Sequence, residues 1–188
     1  MNIIETSIEG VLIFEPKVFA DARGFFMETW SRDRYRKAGV DAAFVQDNVS
    51  SSSKGVLRGL HYQCPRPQGK LVQVLQGEVL DVAVDIRVGS PTFGRAVTCI
   101  LSEENHRQFY VPQGFAHGFC VLSETALFSY KCTDFYCPEC DGGVLWNDPE
   151  IGIDWPIAEP ILSEKDTKLA RLKDIPKDRL PVYAGACK

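Results

Sequence analysis

The stretch Glu78-Val79-Leu80-Asp81-Val82-Ala83-Val84-Asp85-Ile86-Arg87 alternates between two sets of side chains. One face of an extended chain would carry Leu80, Val82, Val84 and Ile86. The other face would carry Asp81, Ala83, Asp85 and Arg87. Successive side chains of a strand point to opposite faces, so this period of two predicts a β-strand over residues 78–87.

Similar short segments, rich in Val, Ile, Leu, Phe and Tyr, lie on both sides of this strand and are separated by Gly and Pro turns. The further strand candidates are residues 11–14, 25–30, 56–63, 71–75, 95–101, 109–111, 118–122 and 127–132. Helical signals are confined to Ser31–Ala38, which Gly39 would stop, and to a tail that starts at Ser163. Many short strands with few helices predict a mainly β fold of the sandwich or barrel type.

Length and composition narrow the class of protein. The 188 residues, 45% of them hydrophobic, can bury one substantial core, and we expect a single domain over residues 1–188. The sequence has neither the basic start of a secretory signal nor an apolar run of membrane-spanning length, which predicts a cytoplasmic protein with no membrane partner. The net charge of −4 provides no basic face for nucleic acid. Seven cysteines, an odd number, argue against a secreted disulfide framework.

The residues with the clearest chemical potential lie in Gly55-Val56-Leu57-Arg58-Gly59-Leu60-His61-Tyr62-Gln63 and in the Gln68-Gly69-Lys70 that follows. A carbon-bound proton beside a ketone can be removed near neutral pH when a base faces the proton and a cation stabilises the enolate oxygen. His61 is the candidate base and Lys70 the candidate cation, with Gly69 allowing the backbone to approach a ligand.

Several further motifs occur in a fixed order along the chain. They are Asp21-Ala22-Arg23-Gly24-Phe25-Phe26 with Glu28, Gln46-Asp47-Asn48 with Ser50, the 78–87 strand, Ser90-Pro91-Thr92-Phe93-Gly94, Pro112-Gln113-Gly114-Phe115-Ala116-His117-Gly118-Phe119, Tyr130-Lys131, Trp146-Asn147-Asp148 and Ser163-Glu164-Lys165-Asp166. Together they closely resemble the dTDP-4-dehydrorhamnose 3,5-epimerases. The resemblance implies a jelly-roll, cupin-like barrel with a few short helices, and a homodimer that exchanges an N-terminal strand. It also implies a dTDP-linked 4-keto-6-deoxyhexose substrate that is inverted at both carbons beside the ketone without cofactor or metal.

The resemblance also implies the roles of individual residues. His61 would accept the proton, Asp166 would be its carboxylate partner, Lys70 would lie beside the keto oxygen, and Tyr130 would return a proton from the opposite face. Nucleotide and sugar contacts would come from Arg23, Glu28, Gln46, Asn48, Arg58, His117 and Lys165. Among the aromatic residues, Phe25, Tyr136 and Trp146 are candidates for stacking on the base, Tyr136 above all. Asp141 is a departure, because the family commonly has Glu there, so a contact from it would run through water.

Three local questions have competing answers. Asp166 is also placed to cap a helix beginning after Ser163. Strict alternation would put Arg58 and His61 on opposite faces, so we expect a bulge at Gly59. Cys137 and Cys140 have zinc-like spacing, but without a second pair they are expected to be two free thiols.

Three other functions compete with the main prediction. A relative could invert only C3 or only C5, or isomerise the keto group, with the same base and enolate site. A non-catalytic nucleotide-sugar-binding cupin would lack the four catalytic candidates, all of which are present. A metal-dependent cupin oxygenase would use His117 among its ligands, but the chain has only three histidines, and no second one follows His61 at the required spacing.

Overall fold

The computed structural model describes residues 1–186, and within them the chain forms thirteen strands and one α-helix. The strands are β1 Asn2–Glu5, β2 Leu12–Glu15, β3 Val18–Asp21, β4 Gly24–Met27, β5 Gln46–Ser53, β6 Leu57–Gln63, β7 Lys70–Gln76, β8 Glu78–Asp85, β9 Ala96–Ser102, β10 Gln108–Val111, β11 Phe115–Val121, β12 Thr125–Cys132 and β13 Asp141–Gly143. The helix, α1, is Arg32–Lys37. Short 3₁₀ turns occupy Pro138–Cys140, Asp166–Lys168, Leu172–Asp174, Lys177–Arg179 and Ala184–Ala186.

Two antiparallel sheets form the body of the protein. The larger has the order β1-β2-β10-β7-β12-β5, and the smaller has the order β13-β6-β11-β8-β9. Strands β3 and β4 form a separate hairpin, with Val18 opposite Met27 and Asp21 opposite Gly24. This arrangement confirms the prediction of a mainly β fold of jelly-roll type.

The core lies between the inner faces of the two sheets. Phe109 and Phe128 of the larger sheet and Phe119 of the smaller one are all nearly or fully buried. The rings of Phe119 and Phe128 stack across the gap with centroids 4.1 Å apart. Burying a side chain of this size contributes about 1.5–3 kcal/mol of stability, so these contacts hold the sheets face to face.

The helical predictions were partly right. Helix α1 lies within the predicted Ser31–Ala38 segment, and Gly39 follows it at a φ of +96°, which suits glycine. The predicted helical tail is wrong, because the chain after Ser163 forms only isolated 3₁₀ turns. From Pro176 onward, Pro176 and Pro181 prevent a longer helix, since proline lacks the amide donor that helix continuation needs. None of the helices in residues 1–186 is long and apolar enough to cross a bilayer.

Candidate functional site

Two adjoining cavities open between the sheets, with volumes of about 430 Å³ and 370 Å³. These volumes suit a small-molecule ligand. Both cavities are lined by the same four polar residues, which are His61, Lys70, Tyr130 and Lys165. The two cavities therefore form one continuous site with a polar centre.

A histidine–carboxylate pair lies on one wall of the site. Nε2 of His61 on β6 lies 2.6 Å from Oδ1 of Asp166, and the Asp166 side chain is only 2% exposed. The backbone amide of Asp166 donates a hydrogen bond to Oγ of Ser163 at 3.1 Å, so the turn and the pair coexist. Burial raises the pKa of Asp166, but the hydrogen bond and charge of His61, together with hydrogen bonds from Ser163 and the backbone of Gly59, outweigh it, and the net pKa lies below the ordinary value. The carboxylate is therefore ionised at neutral pH and can orient the imidazole.

Arg58 lies on the same wall as His61 because β6 contains the expected bulge. Along β11, His117 pairs with His61 and Phe119 pairs with Arg58, so one residue of β11 between these pairs lies opposite two residues of β6. His117 and Phe119 point the same way, and their partners therefore do too. Gly59 has a φ of +134°, and a Cβ there would lie 2.6 Å from the Cα of Gly118. Only glycine fits this position.

The opposite wall comes from the larger sheet. On β12, Tyr130 pairs with Val72, and Cys132 pairs with Lys70 of β7. Paired residues in a sheet share a face, so Lys70 and Tyr130 both point toward the cavity, which they line. Burial lowers the pKa of the Lys70 ammonium, and it raises the pKa of the Tyr130 phenol. The glycine before Lys70 packs against Thr133 rather than opening onto the cavity, so the expectation for Gly69 was wrong.

The structure contains a second, more deeply buried histidine–carboxylate pair. The sequence analysis named His117 as a binding residue but did not predict its carboxylate partner. Nε2 of His117 lies 2.9 Å from Oδ1 of Asp81, and both side chains are almost completely buried. Burial lowers the pKa of His117 and raises that of Asp81. The sequence held one signal for this pair. Asp81 lies between Leu80 and Val82 inside the predicted 78–87 strand, and an acidic residue in an apolar strand is a candidate for a buried functional carboxylate. Within residues 1–186, Oδ2 of Asp81 has no hydrogen-bond partner.

The second cavity is lined by four of the remaining predicted binding residues, which are Gln46, Asn48, Tyr136 and Asp141. Oε1 of Gln46 accepts a hydrogen bond from the backbone amide of Tyr136 at 2.9 Å. Oδ2 of Asp141 accepts hydrogen bonds from the Tyr136 hydroxyl and from the Lys165 ammonium. This end of the site combines an aromatic ring with a charged pair.

Three predicted binding residues lie outside both cavities of the described chain, namely Arg23, Phe25 and Glu28. Arg23 makes a local ion pair with Asp21 at 2.6 Å, and Glu28 makes one with Arg34 at 3.1 Å. Phe25 is 57% exposed, with its ring 4.7 Å from that of His106. A single chain therefore does not bring these residues to the site.

The cysteine prediction needs a correction. The structure pairs Cys137 with Cys140 as a disulfide across the 138–140 turn, so they are not two free thiols. Sequence spacing could not distinguish these outcomes, because the pairing depends on how tightly the turn closes. Residues 1–186 contain no cluster of three or more His, Cys, Asp or Glu side chains arranged to hold a metal ion.

A family model described as dTDP-4-dehydrorhamnose 3,5-epimerase matches residues 5–174. The chain belongs to this family. A dTDP-4-dehydrorhamnose 3,5-epimerase from Shigella flexneri is 58% identical over 168 residues, covering 88% of this chain and 93% of the relative. The crystal structure of the 3,5-epimerase from Legionella pneumophila, in complex with dTDP-4-keto-L-rhamnose, is 56% identical with a TM-score of 0.94. The structural match covers 97% of this chain and 98% of the Legionella pneumophila chain. A dTDP-4-dehydrorhamnose 3-epimerase from Streptomyces niveus is 39% identical, over 98% of this chain and 90% of the relative.

As a member of the 3,5-epimerase family, the protein is an isomerase with a cupin-like jelly-roll fold. The predictions of family, fold and enzyme class are thus confirmed. The roles of the individual site residues stay predictions, and the geometry above is the basis on which they are proposed.

Proposed function

We propose that the protein inverts C3 and C5 of dTDP-4-dehydro-6-deoxy-D-glucose to give dTDP-4-dehydro-L-rhamnose. The observation that carries this proposal is the distribution of acid and base over two sheets. His61 lies on the smaller sheet and Tyr130 on the larger, and both line one cavity. Inversion requires a proton to leave one face of the sugar and another to arrive at the opposite face. A sugar ring held between the two walls would present one face to each group.

His61 acts as the base in this proposal. Its Nε2 is engaged with Asp166 at 2.6 Å, which leaves Nδ1 as the nitrogen with a free lone pair in the neutral ring. When Nδ1 takes the proton, the imidazolium is stabilised by the ionised carboxylate of Asp166. The pair therefore supports both steps of a reversible transfer, because the same nitrogen can return the proton.

Lys70 stabilises the enolate oxygen. A negative charge develops on the 4-keto oxygen as the adjacent proton leaves, and a fixed ammonium favours that charge most in the transition state. Burial lowers the pKa of the Lys70 ammonium, and the nearby charges of Cys132, Asp81 and Asp141 oppose that effect.

The proposed role of Lys70 predicts a dependence on pH. Burial lowers the pKa of Lys70 below the ordinary value of 10.5, so the ammonium is lost as the pH rises through that lowered value. We expect kcat to fall on this alkaline limb. Lys70→Gln should lower kcat about 10²–10³-fold and remove the limb, while changing the Kd for dTDP less than about threefold. Steady-state kinetics against pH and calorimetric titration with dTDP measure both quantities. Normal turnover with weak dTDP binding would instead assign Lys70 to the diphosphate.

The nucleotide would occupy the second cavity. Tyr136 offers a ring for stacking on the thymine, and the amides of Gln46 and Asn48 offer donors and acceptors. Arg58 and Lys165 supply cationic groups for the diphosphate. Nε of Arg58 already donates to Oγ of Ser52 at 3.0 Å, which aims the guanidinium before a ligand arrives. His117, held by Asp81, would contact the sugar between these groups.

The competing function is inversion at one carbon only. Identity supports the double inversion, because the similarity to 3,5-epimerases reaches 58% and the similarity to the Streptomyces niveus 3-epimerase is 39%. The deciding experiment incubates the protein with dTDP-4-dehydro-6-deoxy-D-glucose in deuterated water and locates the label by NMR. Deuterium at both C3 and C5 supports the proposal. Label at a single carbon assigns the protein to the single-carbon reaction.

We also propose that the β3–β4 hairpin completes the site of a second copy of the chain. Phe19, Phe25 and Phe26 of the hairpin are 54%, 57% and 70% exposed, a large apolar surface for a lone protomer. A hairpin exchanged within a homodimer would cover these rings and bring Arg23, Phe25 and Glu28 to the partner's cavity. A cytoplasmic location and the absence of a metal or cofactor stay predictions.

The exchange of hairpins predicts complementation between two inactive variants. In a mixed dimer of Arg23→Ala and His61→Ala chains, one site has both wild-type residues and the other has neither. Random mixing should therefore restore about one quarter of wild-type activity, since half of the dimers are mixed. The measurement is activity after joint refolding or coexpression, with each variant alone as the control. No recovery would place Arg23 in its own chain's site or outside any site.

A further inference from the structure

The Cys137–Cys140 pair lies beside the proposed nucleotide site. It closes a turn from Cys137 to Cys140, whose two middle residues, Pro138 and Glu139, are exposed, although the cysteines themselves are buried. Tyr136 precedes the pair and Asp141 follows it, and both line the second cavity. The two flanking residues are joined by the hydrogen bond from the Tyr136 hydroxyl to Oδ2 of Asp141, at 3.3 Å. The covalent ring therefore connects the two residues that form this end of the site.

The backbone on both sides of the pair is attached to β6 independently of the sulfurs. The amide of Cys137 donates to Oε1 of Gln63 at 2.9 Å, and the amide of Cys64 donates to the carbonyl of Cys140 at 2.8 Å. Strand β13 then pairs with β6 and places Gly143 opposite His61. Because these bonds do not involve the sulfurs, opening the disulfide would free the turn between its anchors without moving the strand that carries His61.

We propose that Cys137 and Cys140 form a reversible thiol–disulfide site that sets the affinity for the nucleotide part of the substrate. This inference rests on the function proposed above. Two cysteines separated by two residues form the spacing that dithiol–disulfide exchange uses repeatedly. The oxidised pair holds Tyr136 and Asp141 in place before the ligand binds. The reduced turn has more conformations, and the ligand must then order it at a cost in binding free energy.

The exchange needs a dithiol of the thioredoxin or dithiothreitol class as reductant. A thiolate of the reductant attacks one sulfur of the pair and breaks the Cys137–Cys140 bond, which gives a mixed disulfide and one protein thiolate. The second thiol of the reductant, as its thiolate, displaces the other cysteine. In total, the pair gains two electrons and two protons, and the reductant becomes a disulfide. Oxidised glutathione reverses the change by releasing two molecules of glutathione.

The test compares full-length protein in the two redox states, with dTDP as the probe. Mass spectrometry after alkylation counts the thiols, and calorimetry gives the Kd for dTDP. We expect reduction to raise this Kd and the KM about 3- to 10-fold, to leave kcat within about twofold, and to be reversed by oxidised glutathione. The double variant Cys137→Ser/Cys140→Ser should resemble the reduced protein and ignore dithiothreitol. Cys64→Ser, which alters a free cysteine bonded to the turn through its backbone, should keep the redox response.

Each of the other outcomes has a distinct meaning. Equal Kd values for dTDP in the two states, or no disulfide after treatment with oxidised glutathione, would overturn the inference while leaving the epimerase proposal intact. A redox response that Cys64→Ser abolishes would also overturn it, because the exchanging pair would then include Cys64. Absence of dTDP binding in both states would overturn the nucleotide site itself and the affinity control with it.

Discussion

His61→Asn is expected to abolish solvent exchange at both C3 and C5, with a loss of at least about 10⁴-fold in kcat. The substitution removes an imidazole that is about one-third exposed at the cavity and is paired with Asp166, a carboxylate whose pKa lies below its ordinary value. His117 is the other histidine in the site, and burial lowers its pKa while Asp81 holds its Nε2. It is therefore poorly placed to replace His61. Deuterium incorporation followed by NMR measures the loss directly.

Substitutions at the two members of the His61–Asp166 pair should lower kcat by different amounts. Asp166→Asn leaves the imidazole in place but removes the charge that supports its protonated form, so we expect a smaller loss of about 10²–10⁴-fold. The double variant should be no slower than His61→Asn alone, because the pair acts as a unit. Binding of dTDP and the thermal midpoint serve as controls for folding. A His61→Asn protein that keeps most of its exchange rate would contradict the assignment of the base.

Most of the fold was predictable from the sequence because nine of the strands are short segments rich in Val, Ile, Leu, Phe and Tyr that lie between turns. The largest strand that pattern reading missed is β5, Gln46-Asp47-Asn48-Val49-Ser50-Ser51-Ser52-Ser53. Its composition has little intrinsic preference for extended structure. It is a strand because all eight residues pair with β12, from Gln46 opposite Cys132 to Ser53 opposite Thr125. Strand formation here depends on a neighbour 72 to 86 residues away in the sequence, which no local pattern reveals.

The candidate site was predictable as a set of residue types, but its geometry was not. His61 and Asp166 are 105 residues apart, and only the packing of the tail against β6 brings them together. The shared face of Arg58 and His61 followed from one glycine, because Gly59 in a strand already suggested a bulge. The burial of Asp81 and the pairing of Cys137 with Cys140 needed the structure. The first depends on which surfaces the two sheets cover, and the second on how tightly the turn closes, and strand periodicity determines neither.

Tyr130→Phe is expected to separate exchange from inversion. The substitution removes the phenol from the larger sheet and leaves His61, Asp166 and Lys70 in place. Burial raises the pKa of Tyr130, so the phenol is protonated at neutral pH and can donate. Without it, the enolate still forms, and His61 can return a proton or deuteron to the face from which it came. Deuterium should therefore continue to enter the unreacted substrate, while formation of the inverted sugar falls about 10²–10⁴-fold.

The control for this experiment is Tyr110→Phe, which removes a hydroxyl from a partly buried tyrosine that packs in a different cluster, with Phe14 and Tyr35. It should change neither exchange nor inversion. NMR of the recovered substrate and of the product, taken from the same reaction, gives both rates for each variant. Equal losses of exchange and inversion in Tyr130→Phe would make Tyr130 a binding or packing residue. No change in either rate would assign the second proton to another group or to water. Exchange that persists without inversion is the result that only an acid on the wall opposite His61 explains, because the base alone can label the sugar but cannot invert it.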